Sequence, residues 1–234
     1  MIAYKKDGAK FNSLRVSPVD FERQIKYLKD NNFTSFTMSE LVKLKKVPRR
    51  SVVITFDDGY EDNFIKAFPI LRKYGFKATI YLIINRENNN WSIHRRAKNL
   101  TNELVDEPKL QNEQIKQMLE SGLIEIGAHT LNHLNFQKLT LGKTREEIEE
   151  SKKAIEEEFK IECKTFAYPF GIYKDNDHKI VKELGFTSAV TTNAGISDIT
   201  EDNPFMLKRL TIRGKDNFLA FILKMKNGKR GLFK

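Results

Sequence analysis

A single cysteine, Cys163, stands among 234 residues. An internal disulfide is therefore impossible, and neither a disulfide framework nor a C-x-x-C redox pair is available to this chain. No apolar run approaches the length of about 18 residues that a membrane-spanning helix needs. The opening MIAYKKDGAKF carries no signal-peptide-like apolar stretch. We expect either a cytoplasmic protein or a mature or trimmed chain. Internal repeats and low-complexity segments are missing as well. Histidine is scarce at four residues, and tryptophan occurs once, as Trp91.

What is present suffices for a packed core. Hydrophobic residues make up 40% and aromatics 11%, mostly phenylalanine, which argues against a chain unable to offset its ordering entropy. Lys and Arg number 41 against 31 Asp and Glu, a net charge of +10. Such a field attracts anionic partners of any kind. No nucleic-acid reading module is visible, so no nucleic-acid partner is expected, and lysines spread over most helices read as a solvated surface. The tail Lys224, Lys226, Lys229, Arg230 and Lys234 is the candidate for contact with an anionic surface.

Ser17 before Pro18 is an N-cap followed by proline at the first helical position. Phe21, Ile25 and Leu28 then recur on one face, predicting a helix over 18–30. A short helix is expected after Ser39. The β-branched run SVVITF predicts a buried strand over 51–56, followed by a helix over 61–73 that ends near Gly75. Further strands are expected at 76–83, 123–127, 164–168, 186–190 and 207–212, and helices at 111–120, 143–160, 175–184 and 217–225. Residues 85–108 form a long polar loop holding Trp91, His94, Arg95 and Arg96, and loops of that length are usually functional or mobile. Alternating strands and helices mean parallel strands with helices packed outside. We expect an α/β fold in one domain over 1–234, with 1–50 as an N-terminal extension. The alternatives are an incomplete barrel of about seven strands and an open doubly wound sheet.

Three segments carry chemistry, each at the carboxyl end of an expected strand, where such folds place their sites. In TFDDGYEDN, residues 55–63, Asp57 and Asp58 are adjacent, so on an extended chain they point opposite ways and can take different tasks. The plainer alternative is an acidic turn capping the next helix, with Asp62 a first-turn charge. In GAHTLNH, residues 127–133, His129 and His133 lie four apart, which on a helical turn puts both imidazoles on one face. Thr130 follows His129, so the H-E-x-x-H protease motif is absent. One Asp and two His match the ligand set of a catalytic metal site with an open position. In FAYPFG, residues 166–171, Pro169 fixes its own φ and restricts Tyr168, and Gly171 permits a sharp turn. That rigid loop can aim the Phe170 N–H into a cavity.

In this order TFDDG, HTLNH and YPFG resemble the three motifs of the polysaccharide deacetylase family, also called the NodB-homology or carbohydrate esterase 4 family. The resemblance spans roughly residues 14–225, and RVSPVDFERQIKYLKDNNFTSFTMSEL is similar to the poly-N-acetylglucosamine deacetylase branch. It implies a distorted (β/α)7 barrel binding one divalent metal ion, Zn2+ first and Co2+ or Ni2+ as alternatives. Asp58, His129 and His133 would be the ligands, Asp57 the general base, and the Phe170 backbone N–H an oxyanion donor. The implied partner is an N-acetylated glycan from which acetyl groups are removed. A small or lipid-linked amino sugar is the alternative substrate, and a non-catalytic glycan-binding protein the alternative function. Tyr60, Trp91, Tyr168 and Phe170 are candidates to line a sugar groove by stacking, with core or turn packing as the default for each. Arg209 is a further binding candidate, placed to orient a carboxylate near the metal.

Two departures from the family pattern stand out. Ala167 occupies the place where many members carry an Arg that steadies the catalytic Asp, a feature the poly-N-acetylglucosamine branch also tends to lack. The family's general-acid His has no counterpart near the end of this chain, where the last histidine is His178. In the branch's N-terminal Tyr-His segment this chain reads Ala3-Tyr4-Lys5. His94 is a candidate substitute.

Overall fold

The computed structural model describes residues 1–87 and 103–228. Ser17 caps α1 (Pro18–Asp30), its Oγ accepting from the Asp20 N–H, and the helix buries Phe21, Ile25 and Leu28. Thr37 and Glu40 form a reciprocal capping box on the one-turn α2 (Met38–Leu41), satisfying two otherwise orphaned N–H groups. Two short strands, β1 (Thr34–Ser35) and β2 (Ser51–Val52), pair parallel as a separate small sheet. The expected strand over 51–56 is thus divided at Val53, and its second half is β3 (Ile54–Asp57).

The helix expected over 61–73 starts differently. Asn63–Ala67 form a π turn, and α3 proper runs Phe68–Tyr74. Pro69 lacks an N–H, so the regular i→i−4 ladder cannot run through it, and the chain widens by one residue there. Gly75, at φ +69°, ends α3 in the left-handed cap that glycine adopts without Cβ strain. The remaining elements are β4 (Ala78–Leu82), α4 (Asn112–Glu120), β5 (Ile124–Ala128), α5 (Leu141–Phe159), β6 (Thr165–Ala167), α6 (Asp177–Glu183), β7 (Ser188–Ala194), β8 (Leu207–Arg209) and α7 (Phe218–Asn227).

Strands β3 to β8 form one six-stranded sheet in sequence order, every neighbouring pair parallel. The sheet curls into an incompletely closed, distorted barrel. Its first and last strands are joined by a side chain rather than a ladder: Arg209 on β8 reaches Thr55 and Asp57 on β3. Alternation along each strand sorts residues by face. Ile80, Leu82, Ile126, Ala128, Phe166 and Ala189 pack outward in the main core with α1, α3 and α5. Inside lie small and polar groups linked to one another, with Thr79 bonded to Glu125, Tyr81 to Thr165, and Ser188 to Thr165. Gly127 leaves the room Tyr81 needs, since a Cβ there would sit 2.7 Å from the Tyr81 ring. Because the interior face also carries Asp57 and Arg209, the register decides which side chains reach the upper rim.

The N-terminal segment closes on itself through a parallel bridge between Ile2 and Val16, and is tied to this frame by the Met38 N–H donating to Thr79 Oγ1. Of the long loop expected over 85–108, residues 88–102 lie outside the described residues, and Trp91 and His94 with them. In the basic tail, Lys224 is engaged internally with Thr211 O and Asp216, both at 2.6 Å. It is therefore not a free contact for an anionic surface. Lys229, Arg230 and Lys234 lie outside the described residues.

Candidate metal centre

Asp57 ends β3 with its side chain on the inner face, and Asp58 follows at φ +75°. The left-handed turn of Asp58, continued by Gly59, swings its carboxylate across the strand end. His129 leaves β5 one residue after Ala128. The helical turn expected for His129 to His133 is not formed. Thr130 and His133 take φ +69° and +55°, conformations that no right-handed helix accommodates. The four-residue spacing works through a loop, in which the His133 N–H donates to Thr130 Oγ1 at 2.9 Å.

Through that loop the three side chains converge. His129 Nε2 lies 3.5 Å and His133 Nε2 3.6 Å from the same oxygen, Asp58 Oδ1. One donor atom from each residue falls within 4.8 Å of the others. Ligands at about 2.0–2.2 Å from a tetrahedral ion stand roughly 3.4 Å apart, so this spacing suits a divalent cation. The tautomer suits it too. His129 Nδ1 is 2.7 Å from the Ala167 carbonyl, which can only accept, so Nδ1 carries the hydrogen and the Nε2 lone pair faces Asp58. Burial opposes charge on both partners, and their mutual attraction outweighs it, holding Asp58 below and His129 above its ordinary pKa. Protons and a cation therefore compete for this set.

Asp57 stands apart from the cluster in its bonding. Arg209 grips both its oxygens, Nη1 to Oδ1 at 2.7 Å and Nη2 to Oδ2 at 2.8 Å. The same guanidinium donates to Thr55 Oγ1 and, through Nε, to the Thr191 carbonyl. Burial works against the Asp57 charge, but the Arg209 pair prevails and brings its carboxyl down to about 2. Asp57 is thus an oriented, ionised carboxylate beside the donor set. The contact that the resemblance assigns to an Arg at position 167 is made here from β8, while the backbone carbonyl of Ala167 accepts from His129.

Phe170 stands at φ +57° in the turn after β6, and its ring meets His133 edge-on with centroids 4.3 Å apart. Left-handed non-glycine backbone is uncommon and concentrates at functional sites. Seven described residues adopt it, and Asp58, Thr130, His133 and Phe170 are four of them. Two of the expected groove residues belong elsewhere. Tyr168 is wholly buried, packed against Phe166 and Tyr173 with its hydroxyl donating to the Phe205 carbonyl. Tyr60 is buried with Ile83 and Leu104. Tyr168 belongs to the main core, and Tyr60 to a smaller cluster against which Met1 and Phe11 pack. Arg209, its donors directed to protein groups, orders Asp57 rather than reaching a sugar. Lys5 is exposed on the N-terminal segment and His178 lies on α6.

The polysaccharide deacetylase family matches residues 44–189, more than half of the chain and all three motifs. The chain belongs to this family. Within it, the chain is close to the poly-N-acetylglucosamine deacetylase branch. It is 32% identical over 181 residues to the poly-β-1,6-N-acetyl-D-glucosamine N-deacetylase of Staphylococcus aureus (strain MRSA252), covering 73% of this chain and 58% of that one. YxkH of Bacillus subtilis (strain 168) is 36% identical over 188 residues, covering 79% of this chain and 61% of YxkH. This deacetylase-family chain thus spans about three fifths of the length of both relatives. Among solved structures, the Streptococcus pyogenes deacetylase PplD in complex with acetate superposes with a TM-score of 0.76 at 25% identity, covering 91% of this chain and 88% of that one.

Proposed function

We propose that this polysaccharide deacetylase removes N-acetyl groups from a glycan containing N-acetylglucosamine. The observation that carries the reading is the pairing of an ionised carboxylate, Asp57, fixed by Arg209, with a donor set of Asp58, His129 and His133 spaced for a divalent cation. Zn2+ suits two imidazoles and one carboxylate, with Co2+ or Ni2+ as substitutes. Such a cation, once held by these three side chains, polarises a carbonyl and lowers the pKa of water. Asp57 then takes the proton of the attacking water, and Arg209 keeps the carboxylate aimed throughout. The Phe170 N–H donates to the oxygen on which charge develops, a fixed dipole that needs no reorganisation. The C–N bond breaks, the amine takes up a proton, and acetate is released.

The Staphylococcus aureus relative, named for poly-β-1,6-N-acetyl-D-glucosamine, supports a β-linked polymer as the glycan. The test is acetate release from N-acetylglucosamine monomer, oligomers and polymer, with and without added Zn2+, Co2+ or Ni2+. We expect release that depends on the metal and increases with chain length. Release from monomer alone would move the reading to a small or lipid-linked amino sugar. Glycan binding without release under any of these metals would replace catalysis by a binding role.

A further inference from the structure

Glu147 lies in the middle of α5, seven residues into a helix whose other polar side chains mostly face solvent. It is fully buried. Lys143, one turn earlier, pairs with Glu146 instead, and among the described residues no Lys or Arg forms an ion pair with Glu147. A carboxylate enclosed without a cation is costly unless its oxygens are well used. Here they are used on a single target. Oε2 accepts the Asn132 backbone N–H at 2.9 Å, and Oε1 accepts the Asn132 Nδ2 at 2.7 Å. The Glu147 carbonyl takes the Leu131 N–H at 3.2 Å.

Leu131 and Asn132 are two of the residues between the histidines of the donor set. They are held from the other side by Asn85 beyond β4, whose N–H donates to the Leu131 carbonyl at 2.9 Å and whose Nδ2 donates to Asn132 Oδ1 at 2.7 Å. The clamped pair is flanked by Thr130 and His133, the two left-handed residues of the loop. Left-handed backbone is unfavourable for residues that carry a Cβ, so the loop needs an external hold to stay as it is. Glutamate suits that hold for a geometric reason. Its two oxygens accept both N–H groups of Asn132 at once, whereas a glutamine amide offers one acceptor and turns a donor toward the other.

On these grounds we propose that Glu147 is a positioning residue of the metal centre: it fixes the loop over 130–133 so that His133 Nε2 stands beside Asp58. This rests on the reading of Asp58, His129 and His133 as ligands. Its test is Glu147→Gln, a substitution of the same shape that preserves the helix, with Glu147→Ala as a harsher companion. Zn2+ affinity is measured by competition with a chromophoric chelator, and the ligand field by the visible absorption of the Co2+ form. E147Q is expected to weaken Zn2+ by about 10–100-fold, the usual consequence of removing a group that orients a ligand, and to change the Co2+ bands. A merely structural role would lower the melting temperature of the metal-free chain but leave affinity and Co2+ spectrum as in wild type, and that result would overturn the proposal. A wild-type chain that binds neither Zn2+ nor Co2+ would instead overturn the metal-centre reading on which it rests.

Discussion

Arg15 and Arg209 are both enclosed arginines gripping carboxylates, yet their surroundings differ. The Arg15 side chain is entirely buried and bonds Glu103 and Glu107 through Nη2, at 3.1 and 2.8 Å. Those carboxylates are consumed by the same N-terminal segment: Glu103 Oε2 accepts the N–H groups of Lys10 and Phe11, and Glu107 also takes Lys6. The cluster ties residues 1–16 to residues 103–107. Arg209 instead occupies both oxygens of one partner, Asp57, which keeps 29% of its side chain exposed and borders the Asp58, His129 and His133 donor set. The same ion-pair chemistry is architecture where the carboxylate is surrounded by its own chain, and machinery where one side of it stays open at the barrel rim.

That contrast can be broken by substitution. The largest effect is expected for Asp57→Asn, which removes the proposed base and leaves the donor set. Acetate release should fall by about 10²–10⁴-fold while metal content by elemental analysis stays at wild-type level. Equal turnover would remove Asp57 from its assigned role. Arg209→Met should follow, with kcat lowered by roughly 10²-fold through misplacement of Asp57 and metal retained. Arg15→Met should do the reverse. With Glu103 and Glu107 half-buried and deprived of their guanidinium, stability in urea should drop by about 1–3 kcal/mol, while Zn2+ affinity of the folded chain is unchanged. If R15M weakened Zn2+ as strongly as it weakened the fold, the division between the two arginines would fail.

A smaller effect sharpens the comparison through pH. Asp57 is depressed from 3.8 to about 2 in the folded chain. Its paired form therefore contributes stability that is complete above its unfolded value and is lost as pH falls through the folded one. Metal-free wild type should lose stability over that acid window. R209M, in which the carboxyl returns toward its ordinary value, should show a shallower slope there. Urea midpoints taken across the window give the difference, and identical slopes would show that Arg209 does not hold Asp57 ionised.

Much of the site was legible because its chemistry is concentrated in contiguous segments. TFDDG and HTLNH name their own carboxylates and imidazoles, and four histidines in the chain leave few choices. The helical turn drawn between His129 and His133 failed because spacing alone does not show a left-handed residue. Thr130 and His133 flank Leu131 and Asn132, whose bonds go to partners distant in sequence, Glu147 and Asn85. For Tyr168 and Tyr60 the choice between groove and core packing stayed open for a related reason. An aromatic at a strand end reads alike whether it faces a groove or the core, and the sheet's register decides between them.

By itself the sequence determined the alternation of strands and helices, the position of each reactive segment at a strand end, and the identity of the donor atoms. These are local properties, set by periodicity, β-branching, capping residues and turn chemistry within a few residues of each position. Only the tertiary structure decided that β8 lies against β3 closely enough for Arg209 to hold Asp57, that Ala167 lends its carbonyl to His129, and that a helix fifteen residues onward braces the histidine loop. Each depends on the curl of the sheet bringing far-apart segments within hydrogen-bond distance, and that curl is a sum over the packing of the whole chain.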